Sequence, residues 1–187
     1  MKLTKTPKPA SPQFFDKPIG EIQDHLAATF TWLDHAFGKC QRLVKERDKR
    51  SYHYPAAHIS KGKYESLLPG QHLGNFSFVE LHDPQEIGEY QRSNNRATAK
   101  VSIIFWLNVG KIAASDDRTT EVIKAQILKA LTRDLFLKSG SLSISSVSER
   151  AENVYKGYDM KEVENQFIMQ PFAGFRFEGT LSLIEPC

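Results

Sequence analysis

The spacing of apolar positions changes several times along this chain, and each change marks an element. After Pro18, Ile22, Leu26, Phe30, Leu33 and Phe37 recur at intervals of four and three, the pattern of an amphipathic helix facing a core. Pro18 suits the first turn of that helix and Gly38 suits its stop. From Ala99 to Val109 the period falls to two. Val101, Ile103, Phe105, Leu107 and Val109 share one face, while Ile104 and Trp106 make the opposite face apolar as well. Such a strand belongs in the middle of a sheet, under a helix on one side and under a second sheet or a second subunit on the other. The helical period returns over 119–137 with Ile123, Ile127, Leu131 and Leu135. Asp116 and Asp117 precede it, and Lys138 and Gly140 close it, as the helix dipole and C-terminal geometry favour. Between Pro171 and Pro186, Phe175, Phe177, Leu181 and Leu183 alternate with Arg176, Glu178, Thr180 and Ser182, which predicts a long half-buried strand.

The stretches between are more polar. Cys40 and Val44 are compatible with a continuing helix, but Ser51-Tyr-His-Tyr-Pro55 is not. A hairpin accounts for both, with Cys40–Glu46 and Arg50–Ile59 paired around Arg47-Asp48-Lys49 and the charges on a solvated ribbon. Lys61-Gly62 and Leu68–Gln71 read as turns, Phe76–Leu81 as a short strand, and Asp83 to Asn95 as a surface loop with a short helical turn. Leu142–Val147 predicts another strand, and Asp159 with Glu162 a capping box for a brief helix ending before Pro171. Residues 1–15, with Pro7, Pro9 and Pro12 among lysines, read as a flexible basic arm, and 16–187 as a single domain. The fold class that follows is α+β, a mixed, mostly antiparallel sheet packed with two main helices.

Composition narrows the chemistry. With 187 residues, 40% of them hydrophobic and 12 of them Phe, the chain can build one core without disulfide staples. The two cysteines, Cys40 and Cys187, have no metal-site or redox-pair spacing, and a reducing cytoplasm is the expected setting. No run approaches the ~20 apolar residues of a membrane span, and the first residues lack the apolar stretch of an export signal.

The net charge of +3 is modest, but its distribution is uneven. From Lys39 to Lys63, eight cations face only Glu46 and Asp48; from Tyr64 to Gln91 there is no Lys or Arg, and five carboxylates. Two arrangements satisfy such opposite patches. They cancel within one subunit, or Arg47, Lys49 and Arg50 of one copy meet Glu80, Asp83 and Glu86 of the next, head to tail.

The six histidines, all in the first half, do not form a metal set. On one helix His25 and His35 would stand roughly 15 Å apart, too far for one ion, and His53 and His58 would face opposite sides of a strand. G-x-S-x-G, H-E-x-x-H, Walker A and G-x-G-x-x-G patterns are all absent. Only a triad assembled by the fold is left open, and the expectation is a non-enzymatic protein without cofactors. The basic 39–63 segment, with Tyr52 and Tyr54 beside its cations, keeps a nucleic-acid-binding accessory role as the alternative.

Several short phrases occur in a telling order: Asp34-His-Ala-Phe-Gly38, the polar hairpin, Asn75-Phe-Ser-Phe78, Asp83-Pro-Gln-Glu-Ile87, the 101–109 strand, the 119–137 helix, and Gln170-Pro-Phe-Ala-Gly-Phe-Arg-Phe177. Over residues 19 to 185 this succession resembles small prophage-encoded proteins similar to the tail terminator or tail completion proteins of long-tailed phages. The resemblance implies a non-enzymatic α+β subunit that closes a homo-oligomeric ring, a hexamer in that family. The ring would cap the tail tube and present a surface to the head-side connector. It implies a place in the virion tail after assembly in the host cytoplasm, and no catalytic residues carry over. The strongly basic hairpin and the terminal Cys187 depart from the pattern.

Overall fold

The computed structural model describes residues 4–5, 9, 11–47, 49–60, 62–91, 94–112 and 120–186. A two-residue strand, β1 (Thr4–Lys5), precedes helix α1 (Asp16–Thr29). Ile19, Ile22 and Leu26 form the buried stripe of α1, and Asp16 sits in its first turn. The helix stops well before the predicted Phe37. Thr29-Phe-Thr-Trp32 is a β-branched and aromatic run that loses side-chain freedom against a helical turn. Phe30 is extended, with φ −108° and ψ 98°, and the Leu33 N–H bonds back to the Phe30 carbonyl at 3.1 Å. Phe37 therefore lies on a strand, β2 (His35–Lys39), and faces a different core from Leu33. Gly38 is a strand residue and stops no helix. A Cβ there would come within 3.0 Å of Gln23 Oε1 on α1.

The predicted hairpin forms from β3 (Gln41–Arg47) and β4 (Arg50–Ser60), joined by β5 (Lys63–Ser66) in a three-stranded sheet. Next come β6 (Phe76–Leu81), β7 (Glu86–Gln91) and β8 (Asn94–Asn108). Strand β7 replaces the expected loop and helical turn. It is antiparallel to β8 at Glu86↔Thr98 and Ile87↔Ala97, a pairing made by backbone groups that its polar side chains do not signal. Short helix α2 (Val109–Ile112), helix α3 (Thr120–Thr132), strand β9 (Gly140–Ser148), short helix α4 (Ala151–Val154), a 3₁₀ turn (Asn165–Phe167) and strand β10 (Phe172–Pro186) complete the chain. Asp116, Asp117 and Thr119, read as the start of α3, lie outside the described residues. No helix starts at Asp159: its Oδ1 accepts from the Lys161 N–H at 3.0 Å, while Glu162 turns to the hairpin cations.

The main sheet has seven strands in the order β1-β2-β6-β8-β10-β9, with β7 also paired to β8. Among the described residues only β1–β2 and β2–β6 are parallel, so the sheet is mixed and mostly antiparallel, and the α+β expectation holds. Within the segment read as a flexible arm, Thr4–Lys5 pairs with β2 and Phe15 is buried; residues 1–3, 6–8 and 10 lie outside the described residues. Strand β8 is central, between β6 and β10. Its Val101, Ile103, Phe105 and Leu107 meet α1 and α3 in one core. Ile104 and Trp106 on its other face join a second core with Phe37, Ala57, Phe78 and Tyr155, beneath the small sheet and α4. Gly174 makes that packing possible, since a Cβ there would lie 2.3 Å from the Trp106 ring.

Candidate functional site

Charged and polar side chains gather in two places, the hairpin with its neighbourhood and a region inside the second face. In the hairpin, register sets Arg47 opposite Arg50 and Lys45 opposite Tyr52, with Lys49 in the turn at φ 59°. Arg47 and Arg50 are exposed, as are Asp83 and Glu86. Glu162 stands over the hairpin, 3.4 Å from Lys45 Nζ and 3.3 Å from Arg47 Nη1, so part of the basic charge is balanced within the subunit. Exposed pairs of this kind contribute little to stability. Glu80, grouped by sequence with Asp83 and Glu86, turns inward.

Its destination is an ionic cluster. Arg176, 3% exposed, brings Nη2 within 2.8 Å of Glu80 Oε2 and Nε within 3.2 Å of Glu178 Oε1. Its Nη1 donates to the Val154 carbonyl at 3.2 Å, and Nη2 also lies 3.2 Å from His82 Nε2. The Tyr158 hydroxyl donates to Glu80 Oε1 at 2.6 Å. Strand register assembles the cluster. Glu80, Ser102, Glu178 and Ser146 form one row across β6, β8, β10 and β9, next to the row of Phe78, Ile104 and Arg176. The second face is thus apolar for part of its length and then becomes charged.

Ser102 Oγ lies 2.7 Å from His82 Nε2, which raises the question of a nucleophilic pair. The arrangement is unsuited to one. Ser102 is fully buried, and the carboxylate of Glu80 approaches the same ring nitrogen, Nε2, at 3.8 Å, leaving Nδ1 without the orienting acid of a triad. Cys40 is equally unsuited to attack. Burial, then the charge of Glu80, pushes its thiol up to about 12, so it stays protonated at neutral pH. Among the described residues no group of three or more His, Cys, Asp or Glu side chains is placed to hold a metal ion.

The charged end of this face opens into a cavity of about 460 Å³ whose walls include Arg42, Lys100, Lys156, Arg176, Glu80 and Glu178. Arg42 reaches it from β3, its guanidinium 5.9 Å from the centre of the Tyr158 ring. A bulge in the β9–β10 pairing at Glu178/Gly179 shapes one wall. Glycine is required there, since a Cβ on Gly179 would lie 2.2 Å from the Ser143 carbonyl oxygen. Sequence reasoning missed this site, because Arg176 and Glu178 alternate with phenylalanines as solvent-facing residues of a half-buried strand also do.

At the edge of the main sheet, β9 pairs only with β10 among the described residues. Its sequence, Gly140-Ser-Leu-Ser-Ile-Ser-Ser-Val-Ser148, contains no Pro and no charge. Exposed apolar side chains accompany it: Val147 on β9, Phe136 in the link from α3, and Val122 and Leu128 on α3. No helix of the described residues is long and apolar enough to cross a membrane. A scan against protein-family models gives no match, and neither does a search of curated proteins.

Proposed function

We propose that this chain is a non-enzymatic structural subunit that joins copies of itself side by side into a ring, in the manner of a phage tail terminator or completion protein. The observation that carries the reading is the edge of β9, which has neither charge nor proline. Monomeric proteins protect a sheet edge with charge, proline, bulges or a covering element. Here the bulge at Glu178/Gly179 is one such device among the described residues, and it leaves Gly140–Ile144 a regular edge without charge or proline, with Val147 exposed beyond the bulge. A neighbouring copy would satisfy both the backbone groups and the apolar flank. Lys49 and Arg50 of the hairpin, facing Asp83 and Glu86 of the next subunit, would set its orientation.

Native mass spectrometry of the wild type and of the Ser141→Lys/Ser143→Lys variant tests the edge. The expected outcome is a closed oligomer larger than a dimer that dissociates in the variant; a dimer, or an oligomer indifferent to the substitutions, rejects edge-built ring closure. Gold-labelled antibody microscopy on nuclease-treated particles tests the role. Label at one end of a tail supports it, and particles without the chain reject it. The alternative, nucleic-acid binding by the hairpin, draws on the Arg47–Arg50 pair beside Tyr52 and predicts affinity that falls steeply with salt.

A further inference from the structure

The cavity at the charged end of the second face is not needed for ring formation, and its balance of charge calls for a ligand of its own. Its two carboxylates, Glu80 and Glu178, both face Arg176. The remaining cations on its wall, Arg42, Lys100 and Lys156, come from three separate parts of the chain and are exposed. None of the three has a carboxylate within ion-pair distance among the described residues. Thr180 adds a hydroxyl donor at the same wall. Like charges brought together from separate elements repel one another unless an anion joins them, and three of them suit a group with more than one negative charge. The anchor is rigid as well: Arg176 is buried and fixed by contacts to Glu80, Glu178 and the Val154 carbonyl, so the floor of the cavity is preorganised.

We infer that this cavity binds the dianionic phosphate group of a small molecule, either inorganic phosphate or a phosphomonoester. Arg42, Lys100 and Lys156 surround the phosphate oxygens, above a fixed floor in which Arg176 holds Glu80 and Glu178. A volume of about 460 Å³ holds more than a phosphate ion and leaves space for an organic substituent. The phosphodiester of a nucleic acid carries one negative charge per group and matches this set less well. The inference is independent of the ring assembly and would survive its failure.

Isothermal titration calorimetry at low salt, with inorganic phosphate and with phenyl phosphate as probes, is the test. Saturable binding of either is expected, and the tighter of the two identifies whether the free ion or the monoester is the natural form. In the Lys100→Gln/Lys156→Gln variant, at exposed positions, affinity should fall roughly tenfold or more while the thermal midpoint stays put. Arg42→Gln, on a different element, should weaken binding in the same direction. The proposal is overturned if neither probe binds, if the variants bind as well as the wild type, or if only a single-stranded oligonucleotide binds.

Discussion

The two faces of the main sheet are built from the same strands and follow different rules. The face under α1 and α3 holds no buried charge among the described residues: Val101, Ile103, Phe105 and Leu107 of β8 meet Phe175, Phe177, Leu181 and Leu183 of β10, and the buried polar side chains there, Ser77 opposite Phe105 and Gln23 on α1, are neutral. The opposite face begins in the same way with Phe76, Phe78, Ile104 and Trp106, then passes within one row to Glu80, Ser102 and Arg176. Packing alone secures the first face. The second also depends on electrostatics, because a charge withdrawn from water must be matched where it lies. The contrast leaves one side to packing and gives the other a fixed set of charges.

The largest effect is expected where packing acts alone. Phe105, in edge contact with Phe30 and Phe177 at ring separations of 6.4 and 6.0 Å, should lose about 3–5 kcal/mol on replacement by alanine, read from urea unfolding. On the other face, Arg176→Met removes the cation and leaves Glu80 with its carboxylate turned inward. The expected loss is about 3 kcal/mol, at the low end for a broken buried pair because Glu178 can still turn to water. Adding Glu80→Gln should recover part of it. If the double variant is no more stable than Arg176→Met alone, the cluster is not held electrostatically and the contrast between the faces fails.

The smallest effect depends on pH. His35 stacks on Phe37 at 5.4 Å, both of its ring nitrogens are buried without hydrogen bonds, and burial holds its pKa below the ordinary 6.5 despite the opposing charge of Asp34. Between that lowered value and 6.5 the unfolded chain binds the proton more readily than the folded one. Stability contributed by neutral His35 is therefore intact above 6.5 and declines as the pH falls through this window. Denaturation midpoints at pH 7.5 and pH 5 should draw closer together in His35→Phe, and an unchanged gap would place the sensitivity elsewhere.

How far the sequence reveals these faces depends on which face is considered. Period-two spacing marked β8 as apolar on both sides, and the same logic placed β10 and the hairpin, because alternation reports directly which side of a strand meets a core. It could not report what covers the polar side, so Arg176 read as solvent-facing although the 151–158 segment lies over it. Phe37 misled in the opposite direction. It continues the helical interval from Leu33, but it belongs to β2 and the other core, and spacing does not distinguish one core from two. Strand β7 was invisible because its pairing is made by the backbone and Ile87 is 64% exposed. The cavity is hardest of all to see, since Arg42, Lys100 and Lys156 are far apart in sequence and lie on the small sheet, the main sheet and the turn after α4, which only tertiary packing brings to one wall.

Strands β8 and β10 pair residue for residue from Asn94↔Pro186 to Asn108↔Phe172, and everything from Val109 to Pro171 lies between them in the chain. This governs how the molecule comes into being. A contact so distant in sequence forms late, after α3 and β9 have been made and must be carried along. Until β10 arrives, β8 exposes an unpaired edge and apolar side chains on both faces, the surface on which unfinished chains clump. The stretch that organises the finished sheet is the one a nascent chain most needs a chaperone to shield, and slow refolding at high protein concentration should send material from this strand into aggregates first.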